Sequence, residues 1–156
     1  MAIDVKVEGL PELKRVLAKL PEKIRKQAVR RGLREAGKII QSAAKMAAPV
    51  LQVPTKYRKP GTVKKAITVR NSKFARKQGN EGVFVSVRPL NGKRQQKLGK
   101  ASAKNPNDPF YWRFLEFGTR KMSARPFMRP AVDAKGDEAI QRFMTSAVTQ
   151  IEKLNK

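Results

Sequence analysis

Apolar residues recur every three or four positions in three stretches of this chain, a spacing that predicts amphipathic helices. One stretch runs from Leu10 to Leu20, and another occupies residues 139–154. The longest predicted helix spans residues 22–47, about 39 Å at the rise of an α-helix. More than half of its apolar face is Ala or Gly, so we expect another element to pack closely against it. This face consists of Ile24, Ala28, Val29, Gly32, Ala36, Ile39, Ile40, Ala43 and Ala47.

Three shorter stretches have the composition of β-strands, at residues 3–7, 67–70 and 82–87. The last two are expected to pair in antiparallel fashion through a basic loop, after a single helical turn capped by Thr62. With the helices they predict an α+β fold, in which a small antiparallel sheet packs against one long helix and a C-terminal helix.

Residues 89–109 have no apolar periodicity and are rich in lysine and arginine. We predict a mobile basic insertion in this segment. The length of 156 residues otherwise suits a single domain over residues 1–156. Half of the aromatic side chains in the chain lie within residues 110–117, and we expect them to belong to the core.

The composition argues against catalysis. The chain has no cysteine and no histidine, which excludes disulfides and thiolate metal sites and removes the commonest general base. The few acidic residues are scattered, although a Ser–Lys dyad remains compatible with the composition. We therefore expect no enzyme activity, no metal and no cofactor. No apolar run approaches the roughly 20 residues that cross a bilayer, so no membrane partner is expected.

The net charge of +24 arises from 36 lysines and arginines against 12 acids, and favours a polyanionic partner. The predicted long helix carries a basic stripe opposite its apolar face, and only Glu35 is close enough in sequence to neutralise it. The stripe is either a solvated helix face or a surface that meets DNA or an acidic partner. Its residues are Lys23, Lys26, Arg30, Arg34, Lys38 and Lys45.

The segment from Phe114 to Ala131 resembles the signature of the tail-component family of siphophages and prophages. Members typically have an aromatic residue, any residue, then Glu-Phe/Tyr-Gly-Thr, a short polar stretch and Ala-x-Pro-Phe-x-x-Pro-Ala. We interpret the motif as mainly structural, with Gly118 turning the chain at positive φ and Phe127 acting as a packing anchor. The motif residues are Glu116, Phe117, Gly118, Thr119, Arg125, Pro126, Phe127 and Pro130.

This resemblance covers most of the chain apart from residues 89–109. It implies a structural virion protein of the head–tail junction in lambdoid-type phages, which completes the tail or neck and allows head–tail joining. The implied location is the virion, after assembly in the host cytoplasm. The implied partners are other neck and tail proteins, with DNA contact in the lumen as a further expectation. The six-fold symmetry of tail tubes implies a homo-oligomeric ring, with the hexamer as its natural form.

Two other functions fit parts of the sequence. A free basic nucleic-acid-binding protein would explain the charge, although helix-turn-helix, zinc-finger and RNA-recognition signatures are missing. A membrane-surface protein could use the basic helix, but the apolar face of that helix is rich in alanine and lacks Trp and Phe.

Overall fold

The computed structural model describes residues 9–154, so the strand predicted at residues 3–7 lies outside the described part of the chain. The two described strands form one antiparallel sheet, and the predicted α+β architecture with its two long helices is confirmed. The elements in chain order are α1 (Leu10–Ala18), α2 (Glu22–Ala47), α3 (Thr62–Ala66), β1 (Ile67–Asn71), α4 (Lys73–Lys77), β2 (Val83–Val87), α5 (Lys93–Leu98), α6 (Trp112–Phe117) and α7 (Met128–Leu154).

The chain divides into two compact units. The first unit includes residues 9–40, 69–84 and 134–154. Its core joins α1, α2 and α7 through buried Leu13, Ala28, Ala147 and Ile151. A Cβ atom on Gly32 would lie 2.8 Å from the ring of Phe143, so only a glycine lets α2 and α7 approach this closely. The expected close approach at a small residue is thus confirmed at this position.

The second unit comprises residues 41–68 and 85–133. The side-chain amide of Gln41 donates a hydrogen bond of 2.7 Å to the carbonyl oxygen of Ile67, which ties the end of α2 to β1. The core of this unit contains Ala44, Ala48, Val63, Ala66, Ile67, Val87, Phe127 and Ala131. Helices α2 and α7 and both strands contribute residues to each unit. A single domain over residues 1–156 stays a prediction.

The apolar face of α2 differs from the predicted one towards its C-terminal end. Ala47 is exposed, whereas Ala44 and Ala48 are buried. Alanine occupies positions 43, 44, 47 and 48 alike, so the periodicity could not distinguish two neighbouring lines of the helix. The packing of the second core decided between them.

Local structure also differs from prediction around the sheet. Thr62 does not cap α3, because Gly61 occupies the N-cap position and the Thr62 hydroxyl donates to the carbonyl oxygen of Lys59 at 3.0 Å. The loop predicted between the strands contains α4, whose N-terminus is capped by Ser72. Residues 89–109 contain α5 and several local hydrogen bonds, such as that from the Ser102 amide to the Asp108 carboxylate. The mobility of this segment stays a prediction.

The prediction that the aromatic residues at 110–117 belong to the core is wrong for Phe110, Phe114 and Phe117, whereas Tyr111 and Trp112 pack against the core of the second unit. Phe114 is 47% exposed and Phe117 is 62% exposed, while Tyr111 and Trp112 are half-buried. The buried residue of α6 is Glu116. The carboxylate of Glu116 is buried together with its partners, the backbone N–H groups of Phe127 and Met128. No helix in the described part of the chain has the length and apolar character of a membrane span.

Candidate functional site

The predicted basic stripe lies on α2, and its six members do not all point into solvent. Lys23, Arg34 and Lys38 are exposed. The other three, Lys26, Arg30 and Lys45, are half-buried. The expectation that all six charges point outward together therefore fails for half of the stripe, and for Arg30 the residue in contact is Glu81 of the β1–β2 connection.

Arg30 is engaged with the hairpin. Its guanidinium binds both carboxylate oxygens of Glu81, with a distance of 2.8 Å from Nε to Oε2. The Glu81 side chain is only 7% exposed, and the Arg30 side chain is 40% exposed. The hydrogen bond from Arg30 lowers the pKa of Glu81 despite the opposing effect of burial, and the charges of Arg30, Arg76 and Lys26 add to this. Arg30 therefore has a structural role, and little of its charge is available to a partner.

Two further stripe residues have carboxylate partners. Lys26 pairs with Glu22 one turn earlier, and Lys38 pairs with Glu35 at 2.7 Å. The expectation that Glu35 alone neutralises the stripe is thus wrong. Glu22 lies four residues before Lys26, a pairing that the helical spacing alone indicates. Glu81 is 51 positions from Arg30, and no sequence pattern links the two.

Arg34 remains exposed and donates a hydrogen bond of 3.1 Å to the side-chain oxygen of Asn71. Arg31 is also exposed, although it does not belong to the predicted stripe. The exposed line of α2 follows spacings of three and four through Lys23, Gln27, Arg31, Arg34 and Lys38. We call the four cations of this line, Lys23, Arg31, Arg34 and Lys38, the exposed basic line. Its periodicity is visible in the sequence, but periodicity alone does not distinguish it from the neighbouring line that contains Lys26 and Arg30.

The family-like motif is built around Glu116, whose side chain is 2% exposed. Its Oε2 accepts hydrogen bonds from the backbone N–H groups of Phe127 (2.8 Å) and Met128 (3.0 Å). Its Oε1 accepts one from Arg129 at 3.1 Å. A carboxylate at this position satisfies free donors at the start of α7 and complements the helix dipole. Glu116 thus links α6 to α7 within the second unit.

The charge state of Glu116 follows from these contacts. Burial alone would raise the pKa of its carboxyl group. The three backbone hydrogen bonds and the nearby Arg129 charge outweigh burial, so the pKa lies below the ordinary value of 4.5. Glu116 is therefore ionised at neutral pH, and its buried charge is bound by groups that cannot move away from it.

Gly118 ends α6 with φ of 74°, so the predicted turn at positive φ is confirmed. Thr119 and Met122 then pair through reciprocal backbone hydrogen bonds of 2.8 and 3.2 Å. The Arg125 amide donates to the carbonyl oxygen of Leu115 at 2.7 Å. These bonds bring residues 119–125 back against α6.

The remaining motif residues divide between core and surface. Phe127 is fully buried, as expected of a packing anchor. Pro126 and Pro130 are exposed, and Pro130 is the third residue of α7, a position in the first turn where its missing N–H costs little. The exposed ring of Phe117 lies 5.0 Å from the guanidinium carbon of Arg129.

The described residues contain no group of three or more carboxylate, His or Cys side chains that could hold a metal ion. The first unit presents exposed cations on α2, and the second unit presents exposed aromatic rings on α6.

Comparison with protein families identifies a match over most of the chain. Residues 12–118 match the model of the family described as "Bacteriophage HK97-gp10, putative tail-component". The matched region contains most of α1, the whole of α2, both strands and α6, and it ends at the Gly118 turn. No curated protein and no solved structure matches the chain.

Proposed function

Because the chain belongs to the HK97-gp10-like family of phage tail components, we propose that it is a structural protein of the head–tail junction. In this proposal it completes the tail or neck, allows head–tail joining, and has no enzyme activity. It assembles in the host cytoplasm into a homo-oligomeric ring, a hexamer, and remains in the virion. The family match over residues 12–118 is the observation that carries the proposal.

The exposed aromatic rings of α6 support a role in assembly. Phe114 and Phe117 are both more than 40% exposed, and Met122 nearby in the chain is 38% exposed. Large apolar side chains that remain exposed in a small protein are typical of surfaces that a partner covers. We assign this surface to contact with the next subunit of the ring.

The exposed basic line of α2 supports a contact with polyanion in the assembled particle. Apart from Lys38, its members are absent from the ion pairs formed within residues 9–154. Exposed cations without a carboxylate partner are the groups that phosphate or an acidic neighbour would neutralise. In the proposed ring this line faces DNA in the lumen or an acidic tail protein.

The experiment that tests the proposal is deletion of the gene from its phage, followed by complementation from a plasmid. We expect the deletion to give filled heads and separate tails in electron micrographs, and the plasmid to restore joined, infectious particles. Mass spectrometry of purified virions should then detect the chain in a constant ratio to the tail-tube protein. Normal joined particles without the protein would contradict the proposal.

A free nucleic-acid-binding protein is the second candidate, and the net charge of +24 is the observation in its favour. The two functions differ in where the protein ends up. A free DNA-binding protein would be recovered with intracellular DNA and would be absent from purified virions, whereas a junction protein would be recovered with the virions.

A further inference from the structure

An open cleft of about 290 Å³ lies between α2 and α7 within the first unit. Helix α2 contributes Arg31 and Glu35 to its lining. Helix α7 contributes a polar line at helical spacing that begins with Arg142 and ends with Lys153. Between these two cations the line consists of Thr145, Ser146, Thr149 and Gln150.

The cleft carries a net positive charge, and its cations are accessible to a ligand. Arg31, Arg142 and Lys153 are absent from the ion pairs formed within residues 9–154. Glu35 is the acidic residue of the lining, and Lys38 already binds it at 2.7 Å. That hydrogen bond lowers the pKa of Glu35 against the effect of burial, with further contributions from the charges of Lys38, Arg142 and Arg31. The two arginines and Lys153 therefore provide positive charge in excess of the carboxylate.

A buried amide provides a second, independent observation. Gln150 is 7% exposed and lines the cleft, and its side chain is absent from the hydrogen bonds formed within residues 9–154. The amide atoms of Gln150 are not sealed from solvent, so they reach the open cleft, where their partner is water or a bound ligand. The neighbouring threonines cannot serve as donors, since the hydroxyls of Thr145 and Thr149 donate to helix carbonyl oxygens at 3.1 and 3.0 Å. The Gln150 amide is thus a donor that a bound ligand would satisfy.

We propose that this cleft binds phosphate, and that its ligand is a phosphodiester group of DNA. Two guanidinium groups, an ammonium group, the Ser146 hydroxyl and the Gln150 amide together offer donors that match the several oxygens of one phosphate. Guanidinium groups suit phosphate because their N–H groups bind two oxygens at once.

DNA is favoured over an acidic protein segment by the charge of the whole chain. A chain of +24 attracts the dense, regular charge of duplex DNA more strongly than the isolated carboxylates of a protein. Phosphates follow one another along the backbone, so a strand seated in the cleft would bring its next phosphates to Arg34 and Lys38 on the exposed basic line. The inference rests on the proposed function, since DNA passes through the head–tail junction.

The first test compares two variants with equal loss of charge. Arg31→Gln with Arg142→Gln removes two cations from the cleft, and Lys93→Gln with Lys97→Gln removes two exposed cations from α5. Duplex DNA affinity of the full chain is measured by fluorescence anisotropy over a range of salt. We expect the cleft variant to bind about tenfold more weakly than the α5 variant at low salt, with a log–log salt slope smaller by roughly one to two. Equal affinities for the two variants would overturn the proposal.

The second test uses a change without loss of charge. Gln150→Leu should weaken DNA binding severalfold and leave the salt slope unchanged. If the Gln150→Leu variant melts at a lower temperature than the parent, Gln150→Met is used instead. In the unaltered protein, inorganic phosphate should shift the NMR signal of the Gln150 side-chain amide, and duplex DNA should shift it at lower concentration. A Gln150 signal that moves with neither probe would contradict phosphate binding, as would a shift produced by poly-glutamate and not by DNA.

The two proposals fail in different ways. If the cleft variant is incorporated normally into virions and binds DNA as the α5 variant does, the phosphate site is wrong and the junction role stands. If the unaltered chain binds phosphate in the cleft but is absent from virions, the junction role is wrong and the phosphate site stands.

Discussion

At the scale of the residue, Glu116 has the most consequential contacts in the second unit. A single carboxylate accepts three backbone hydrogen bonds from the first residues of α7 and is almost fully buried. Removal of its charge would leave buried donors with a weaker partner, and removal of its oxygens would leave them with none. The residue therefore couples the fold of the motif to pH.

We predict that Glu116→Gln destabilises the protein at pH 7 by about 1–3 kcal/mol, the cost of weakening a buried charged hydrogen-bond network. The pKa of Glu116 is lowered on folding, so the carboxylate stabilises the fold above its unfolded pKa near 4.5, and this stabilisation is lost as pH falls through the folded value. The difference between the two proteins should shrink in acid, because Glu116 itself is then neutral. Urea denaturation at several pH values measures this. A difference that is constant from pH 7 to acid would contradict the role of the charge.

Gly118 is the second position at which one residue decides local structure. Its φ of 74° is unfavourable for other residues, and a Cβ atom there would lie 2.9 Å from both the Ala124 nitrogen and the Met122 oxygen. We predict that Gly118→Ala costs more than about 1 kcal/mol of stability. Gly136→Ala is the matched control, because no atom lies within 4 Å of its added Cβ and its helix should gain about 0.5–1 kcal/mol. If the melting temperatures of both variants lie above that of the parent protein, or both lie below it, the role of Gly118 in the turn is contradicted.

At the scale of the element, α2 separates structural cations from exposed ones. We predict that Arg30→Gln lowers stability by about 1–2 kcal/mol, because it leaves the carboxylate of Glu81 without its main partner, although partial exposure of Arg30 screens the pair. Replacement of Lys23, Arg34 and Lys38 by Gln should change stability little, since these side chains are exposed.

The same variants separate folding from assembly. If the exposed basic line meets polyanion in the particle, the triple variant should lower infectivity in complementation while its melting temperature stays close to that of the parent. Full infectivity of the triple variant would leave this line as a solvated helix face. The Arg30→Gln variant serves as the comparison for effects that come from lost stability alone.

The segment at residues 89–109 has few buried residues that hold it to the rest of the protein. Leu90 and Asp108, near its two ends, are buried, whereas α5 between them has no buried residue. We predict fast amide exchange across residues 90–104 in the free protein, because little apolar burial opposes opening there. Strong protection throughout this stretch, measured by hydrogen exchange with mass spectrometry, would show that the local hydrogen bonds are enough to hold it.

At the scale of the whole molecule, the function proposed for this tail component depends on surfaces that the isolated chain leaves exposed. We predict that Phe114→Ser with Phe117→Ser blocks ring assembly and head–tail joining with little effect on folding, because Phe114 is 47% exposed and Phe117 is 62% exposed. Phe74→Ser is the control, since Phe74 is 72% exposed on α4. Size-exclusion chromatography and complementation measure the outcome. Equal loss of function in both variants would indicate a general effect of removing exposed rings.

The order and type of the main elements follow from the amino-acid sequence. Periodicity predicts helices at residues 10–20, 22–47 and 139–154 and the two strands, because each element buries one face and the chain repeats its apolar residues accordingly. The structure begins α7 at Met128, eleven residues before the predicted start. The turn at Gly118 is also predictable, since glycine is the residue that tolerates positive φ. The motif around this turn resembles the signature of the tail-component family, and the match over residues 12–118 confirms that membership.

Which polar groups meet was decided by the tertiary packing. The pairing of Arg30 with Glu81, the burial of Glu116 beneath the first residues of α7, and the open cleft at Gln150 involve residues that periodicity treats as surface. The spacing of residues along a helix indicates which side of the helix is apolar. It does not indicate which residues of a distant segment pack against that helix. The exposure of Phe114 and Phe117 was also decided by the tertiary packing. The burial of an aromatic ring depends on how much apolar surface other elements offer, and the buried residue of α6 is Glu116.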